Sequence, residues 1–160
     1  MLQQIHKSGC SPENIELEIT EAIIMQDPEM VMRALLNLKQ SGMRISIDDF
    51  GTGYSSLDYL RRFSIDSIKI DKTFIQRMIQ DESSASVVTA IIAMANKLGV
   101  KTIAEGVETR EQYEFLLKEK CSEIQGYYLS KPLDAATMTE FLKNPIAISY
   151  LLKNTSEKIR

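Results

Sequence analysis

The sequence predicts an α/β protein organised on a parallel sheet, and three observations predict it. Short β-branched runs alternate with helix-length amphipathic stretches five times along the 160 residues, the rhythm of successive strand–helix units. Four of the strand-like runs lead straight into acidic residues, and right-handed crossovers would gather those strand ends on one side of the sheet. A composition 44% hydrophobic and 26% charged supplies a buried core without the bias of a disordered chain.

The elements follow in order. The chain opens on a helix-like stretch containing His6, and Ile15–Thr20 then alternates β-branched and acidic residues as a strand. Asp27-Pro28 has the signature of a helix start, and that helix runs to about Gln40, where Ser41-Gly42 closes it. Arg44–Ile47 is a second strand ending in Asp48-Asp49, with the glycine loop Gly51–Gly53 and a short helical segment near Leu57–Arg62 beyond it. Ser67–Ile70 is a third strand, ending in Asp71. From Ser83 to Leu98 the apolar residues Val87, Val88, Ile91, Ile92, Ala95 and Leu98 fall at helical spacing, and Gly99 supplies the left-handed stop. Val100–Ala104 is a fourth strand, Thr109 caps a helix over Arg110–Lys118, Ser122–Leu129 is a fifth extended segment, and Leu133–Leu142 is a last helix. Residues 1–144 make one domain on this reading, with 145–160 a helical or frayed tail.

Several functions are excluded or disfavoured at once. The net charge of −3 gives no basic field for a nucleic-acid polymer or an anionic membrane. No apolar run approaches the ~20 residues of a membrane span, and polar residues follow Met1. The isolated Cys10 and Cys121 fit reduced thiols, so a cytoplasmic protein is expected. With His6 the single histidine, multi-histidine zinc sites are ruled out, and no nucleophile motif lies near it for a triad. Carboxylates and lysines must carry any chemistry.

Asp48-Asp49 is the sharpest feature. Adjacent carboxylates repel unless a cation neutralises them, and hard oxygen donors suit Mg²⁺ or Mn²⁺. With Glu18 on the neighbouring strand, two metals roughly 3.5–4 Å apart become feasible, an arrangement suited to phosphodiester hydrolysis. A rival reading of Gly51-Thr52-Gly53-Tyr54-Ser55-Ser56 is a dinucleotide turn, with Asp71 as the ribose acid. Ser56 in place of the third glycine, and the repulsion of a pyrophosphate by Asp48-Asp49, weigh against it. Lys69 alternates with Ile68 and Ile70 and so faces the other side of its strand. It is either an edge lysine in water or, beside these acids, an ammonium that orients a metal-activated water.

Glu18-Ile19-Thr20-Glu21, Asp48-Asp49-Phe50-Gly51-Thr52-Gly53, Lys69-Ile70-Asp71, Ala104-Glu105-Gly106-Val107-Glu108 and Gln125-Gly126-Tyr127 occur here in the order and rough spacing of the EAL domain, with Leu129-Ser130-Lys131-Pro132-Leu133 like its closing motif. The chain thus resembles a family of bacterial cyclic di-GMP phosphodiesterases with a modified (β/α)₈ barrel of the TIM type. The resemblance implies that Glu18, Asp48 and Asp49 are ligands of a two-metal Mg²⁺ or Mn²⁺ site. It implies that Lys69 contacts the attacking water, that Glu105 is the general base or holds that water, and that Gln125 supports the second metal. Glu21 would brace the loop 50–55, and Phe50, Gly51, Lys131 and Pro132 would contact substrate. The implied reaction is in-line attack on one phosphodiester of cyclic di-GMP, opening it to linear pGpG.

The sequence also departs from the family. It has no Glu-Ala-Leu tripeptide, whose Glu is a metal ligand, and lacks the family's metal-binding Asn. A closed barrel needs ~200–250 residues, so five strand–helix units read as the C-terminal part of one, incomplete or opened. Two open edges and an uncovered apolar interior would then favour self-association, strand exchange or a flatter sheet with helices on both faces. Hydrolysis is expected to be impaired by the two missing ligands. The alternative is a non-catalytic nucleotide- or protein-binding module in cyclic di-GMP signalling.

Overall fold

The structure, a computed structural model, describes residues 2–53, 60 and 62–143. Five strands, β1 (Glu16–Thr20), β2 (Arg44–Phe50), β3 (Ser67–Ile70), β4 (Lys101–Glu105) and β5 (Glu123–Gln125), form one parallel sheet in the order β1-β2-β3-β4-β5. The helices are α1 (Leu2–Ser8), α2 (Glu21–Gln26), α3 (Pro28–Gln40), α4 (Lys72–Arg77), α5 (Glu82–Leu98), α6 (Arg110–Lys118) and α7 (Ala135–Lys143), with a 3₁₀ turn at Pro12–Asn14. The helical segment expected near Leu57–Arg62 and the tail from Pro145 lie outside the described residues, apart from Leu60 and Arg62. So does the side chain of His6.

Local chemistry sets the boundaries. Asp27 accepts the Met30 N–H as N-cap of α3, with Pro28 at the first helical position. Asp81 caps α5 through the N–H groups of Ser83 and Ser84, and Gly99 ends that helix at φ +71. Thr109 and Gln112 form a reciprocal capping box at α6. At the opposite end of the sheet Asp66 ties strands together: Oδ2 accepts the Ile45 N–H at 2.8 Å, and Oδ1 lies 2.6 Å from the Lys39 ammonium.

Strand periodicity separates two faces. Ile19 of β1, Ile45 and Ile47 of β2, Ile68 and Ile70 of β3 and Ala104 of β4 enter a single core with Leu35, Ile75, Val88, Ile92 and Leu116 of the helices. The helices that reach this core, α2 to α6, all pack on that one face of the sheet. The expectation of helices on both faces therefore fails among the described residues. The barrel does not close: β1 and β5 are the two ends of the sheet.

The expected apolar interior is also corrected. The strand positions that alternate with the core set are Glu16, Glu18, Thr20, Arg44, Ser46, Asp48, Ser67, Lys69, Lys101, Glu105, Glu123 and Gln125, with Ile103 the apolar exception. Near the N-terminal strand ends Ser67 donates to Glu16 at 3.0 Å and Lys101 pairs with Glu123 at 2.8 Å. Ion pairs and hydrogen bonds hold most of this face, while the buried Ser46 hydroxyl has no side-chain hydrogen bond.

Candidate active site

The C-terminal ends of the first four strands converge on one ammonium. Lys69 sits mid-strand in β3, and its side chain, only 7% exposed, reaches Glu18 of β1 at 2.8 Å, Asp48 of β2 at 3.2 Å and Glu105 of β4 at 2.8 Å. Of the two readings of Lys69, the edge lysine in water is thereby set aside. Burial by itself would lower its pKa, but the hydrogen bonds to Glu105, Glu18 and Asp48 outweigh it and hold the ammonium well above the ordinary lysine range.

Asp49 joins the cluster through a break in the strand. Pairing of β2 with β3 shifts register between Ile47 and Phe50, and Asp49 takes a positive φ of 54°, a region that Asp tolerates better than most residues. Oxygens of Asp48, Asp49 and Glu105 then lie within 4.8 Å of one another. The Asp49 carboxyl titrates above the ordinary range because of burial, then repulsion from Asp48 and Asp71, with Lys69 opposing. Three carboxylates thus contact one ammonium, with Asp49 beside them. That uncompensated charge on hard oxygen donors fits a divalent cation, and the oxygens of Asp48, Asp49 and Glu105 are the ones close enough together to face one.

The remaining predicted residues surround this centre. Glu21, buried at the start of α2, accepts the Gly51 N–H at 3.4 Å. Gly51 at φ +99 has Phe74 and Ile91 where a side chain would go, and a Cβ at Gly53 would stand 3.1 Å from the Glu21 carboxyl. Phe50 lies in the core at 5% exposure, so a substrate contact there falls to its backbone. Gln125 pairs in register with Glu105, and its carbonyl accepts the Val107 N–H at 3.1 Å. Lys131 and Pro132 are exposed beyond β5, with the Lys131 ammonium 5.9 Å over the Tyr127 ring rather than among the carboxylates.

The backbone at Gly126 shows why a glycine follows Gln125 at the end of β5. At φ +155 it passes so close to Val107 that a Cβ would sit 2.2 Å from the Val107 carbonyl oxygen. Gly126→Ala is expected to cost about 1–3 kcal/mol in urea unfolding, as overpacking against fixed backbone does. A variant as stable as wild type would show that the close approach is not maintained.

Sequence reasoning missed one electrostatic partner. Asp71, read only as a strand-end acid or a ribose ligand, is the N-cap of α4, accepting from the N–H and hydroxyl of Thr73, and bears on Asp49. The Asp-Lys-Thr run after a strand is a capping signal that could have placed it.

A parallel β/α sheet with acidic residues gathered at its C-terminal strand ends has the layout in which β/α barrels place their active sites. The family model described as the EAL domain matches residues 1–132, and the chain belongs to that family. It is 43% identical over 139 residues to the cyclic di-GMP phosphodiesterase NbdA of Pseudomonas aeruginosa, covering 87% of this chain and 18% of that protein. The solved PaMucR phosphodiesterase in complex with c-di-GMP superposes with a TM-score of 0.83 at 40% identity, over 86% of this chain and 56% of that one. Klebsiella pneumoniae BlrP1, solved as a manganese/cyclic-di-GMP complex, gives a TM-score of 0.75 at 30% identity, over 82% of this chain and 33% of that one. The chain spans about a fifth of the length of the curated relatives it matches. Among the described residues no helix is long and apolar enough to cross a membrane.

Proposed function

We propose that the chain carries the larger part of a cyclic di-GMP phosphodiesterase site and hydrolyses its substrate to linear pGpG with Mg²⁺ or Mn²⁺. The observation that carries this reading is Lys69 held by carboxylates from three other strands, within 3.2 Å of each. Glu18, Asp48 and Asp49 hold the cations, which when bound neutralise phosphoryl charge and lower the pKa of the attacking water. Glu105 takes the proton of that water, and Lys69 fixes the Glu105 carboxylate while offering positive charge to the reacting phosphate. Gln125 supports the metal site beside Glu105. Glu21 holds the Gly51–Gly53 loop, and the backbone at Phe50 and Gly51, with Lys131 and Pro132, contacts the nucleotide. The domain comprises residues 1–144, acts in the cytoplasm, and self-associates through the open edges of β1 and β5.

These 160 residues contain neither the glutamate of a Glu-Ala-Leu motif nor the family's Asn ligand, so turnover by the chain alone is expected to be slow. The test is chromatographic detection of linear product with Mn²⁺ or Mg²⁺, with chelator as the blank. No product from folded chain sinks the catalytic reading and leaves nucleotide binding.

Metal binding has a separate readout. A cation held at 100 times its Kd adds about 2.7 kcal/mol to stability, which for a chain of this size raises Tm by roughly 5–10 °C. Mn²⁺ titration followed by thermal melting should show that rise. Asp49→Asn should abolish most of it, and a flat titration would remove the metal site.

A further inference from the structure

We propose that Gln112 is a positioning residue for Glu105, one side-chain amide that fastens the loop after β4 to the helix after β3. The proposal rests on the reading of Glu105 and Lys69 as the working pair of the site. The geometry is that of a strut. Gln112 is buried, at 5% exposure, on the first turn of α6. Its Oε1 accepts the N–H of Glu108 at 2.7 Å and that of Thr109 at 3.0 Å. Its Nε2 donates to the carbonyl of Ile75 in α4 at 3.2 Å.

The two ends of that amide satisfy orphan groups of two different helices. The first N–H groups of a helix and its last carbonyls have no partner within the helix, and α4 is only six residues long. A buried carbonyl at its end and two N–H groups at the entry to α6 would each carry a desolvation cost if left alone. One glutamine meets all three. A hydrophobic residue could not do so, and a shorter amide would not span the gap.

The span matters because of what each helix follows. Helix α4 starts directly after Lys69-Ile70-Asp71, and the loop that Gln112 holds begins directly after Glu105. Gly106 already rests on α4, for a Cβ there would lie 2.8 Å from the Lys72 Cβ. Val107 is clamped on its other side, donating to the Gln125 carbonyl at 3.1 Å and accepting from the Tyr128 N–H at 2.9 Å. Gln112 supplies the hold on Glu108, the third residue beyond Glu105. The β3–β4 ladder sets the spacing of the strands, and Gln112 adds a tie between the two units just beyond it that steadies the 2.8 Å contact of Glu105 with Lys69.

Two variants separate this role from helix capping. Gln112→Glu keeps an acceptor for Glu108 and Thr109 but loses the donor to Ile75. Thr109→Ala loses the bond that the Gln112 N–H donates to the Thr109 hydroxyl oxygen while leaving the strut in place. The readout is the ¹⁵N–¹H signal of the Lys69 ammonium in the full chain, assigned by its loss in Lys69→Met. Expected is a shifted or faster-exchanging signal in Gln112→Glu and a wild-type signal in Thr109→Ala. With turnover measured in parallel, Gln112→Glu should lower kcat about tenfold with KM unchanged, the effect of small misplacement from outside the reacting centre. An unchanged Lys69 signal in Gln112→Glu overturns the proposal. A moved signal with no turnover in any variant, wild type included, supports the strut and sinks the phosphodiesterase reading instead.

Discussion

Replacing Glu105 by glutamine should lower cyclic di-GMP turnover by about 10²–10⁴-fold, the range over which a positioned general base contributes, while the protein stays folded. The substitution keeps shape and removes a charge. Glu105 Oε1 accepts from the Lys69 ammonium at 2.8 Å, and an amide oxygen can accept the same bond, so β3 and β4 remain joined. An amide cannot take a proton from water, and it is a poorer donor to a cation than a carboxylate. Because the wild-type rate of these 160 residues is expected to be low, the comparison belongs in single-turnover reactions with protein in excess. Linear product is then resolved by chromatography and folding checked by thermal melting. A Glu105→Gln rate equal to wild type would remove Glu105 from the chemistry.

The fold was legible where one face of an element is apolar and the other is not. Ile68 and Ile70 flank Lys69, and the strand read from them, Ser67–Ile70, has the observed bounds. The Thr109 cap and the helix Arg110–Lys118 likewise match. Six-residue helices escaped: α2 and α4 hold fewer than two turns, too few for a 3.6-residue period to show. The fifth extended segment shrank from Ser122–Leu129 to Glu123–Gln125, because Gly126 turns the chain against Val107.

The second strand outran its reading. Arg44–Ile47 extends to Phe50 through two carboxylates of low strand propensity, and the register shift with positive φ at Asp49 is a tertiary event no local pattern encodes. The inward face was misjudged for a related reason. The glutamates and serines of β1, β2 and β3, and Lys69, were visible as alternating polar positions, yet the interior uncovered by an open barrel was expected to be apolar. Glu18, Asp48, Lys69 and Glu105 were nonetheless readable as one site, since strand ends in a parallel sheet share a side. What stayed hidden was contact across elements, as between Asp49 and Asp71 or Gln112 and Ile75.

Lys69→Met should be the most destabilising single change in the site, costing about 3 kcal/mol near neutral pH, the lower end for breaking a buried ion pair. The lower end applies because Glu18 is half exposed and water screens part of its charge. The pH dependence has a definite sign. The folded pKa of Lys69 is raised above its unfolded value, so its stabilisation is complete below the ordinary lysine value of about 10.4. It is lost only as pH rises through the folded value. In the variant the carboxylates of Glu18, Asp48 and Glu105 face one another without a cation, which favours their protonated forms in the folded state. Acid therefore relieves the variant, and the gap to wild type should narrow from pH 7 towards pH 5. Mn²⁺ should narrow it as well, since a divalent cation replaces the missing charge, and its Tm increment should be larger in Lys69→Met than in wild type. Urea unfolding at pH 5, 7 and 9, with and without Mn²⁺, measures each of these. A gap that widens in acid, or one that Mn²⁺ leaves untouched, would mean that Lys69 serves packing rather than charge.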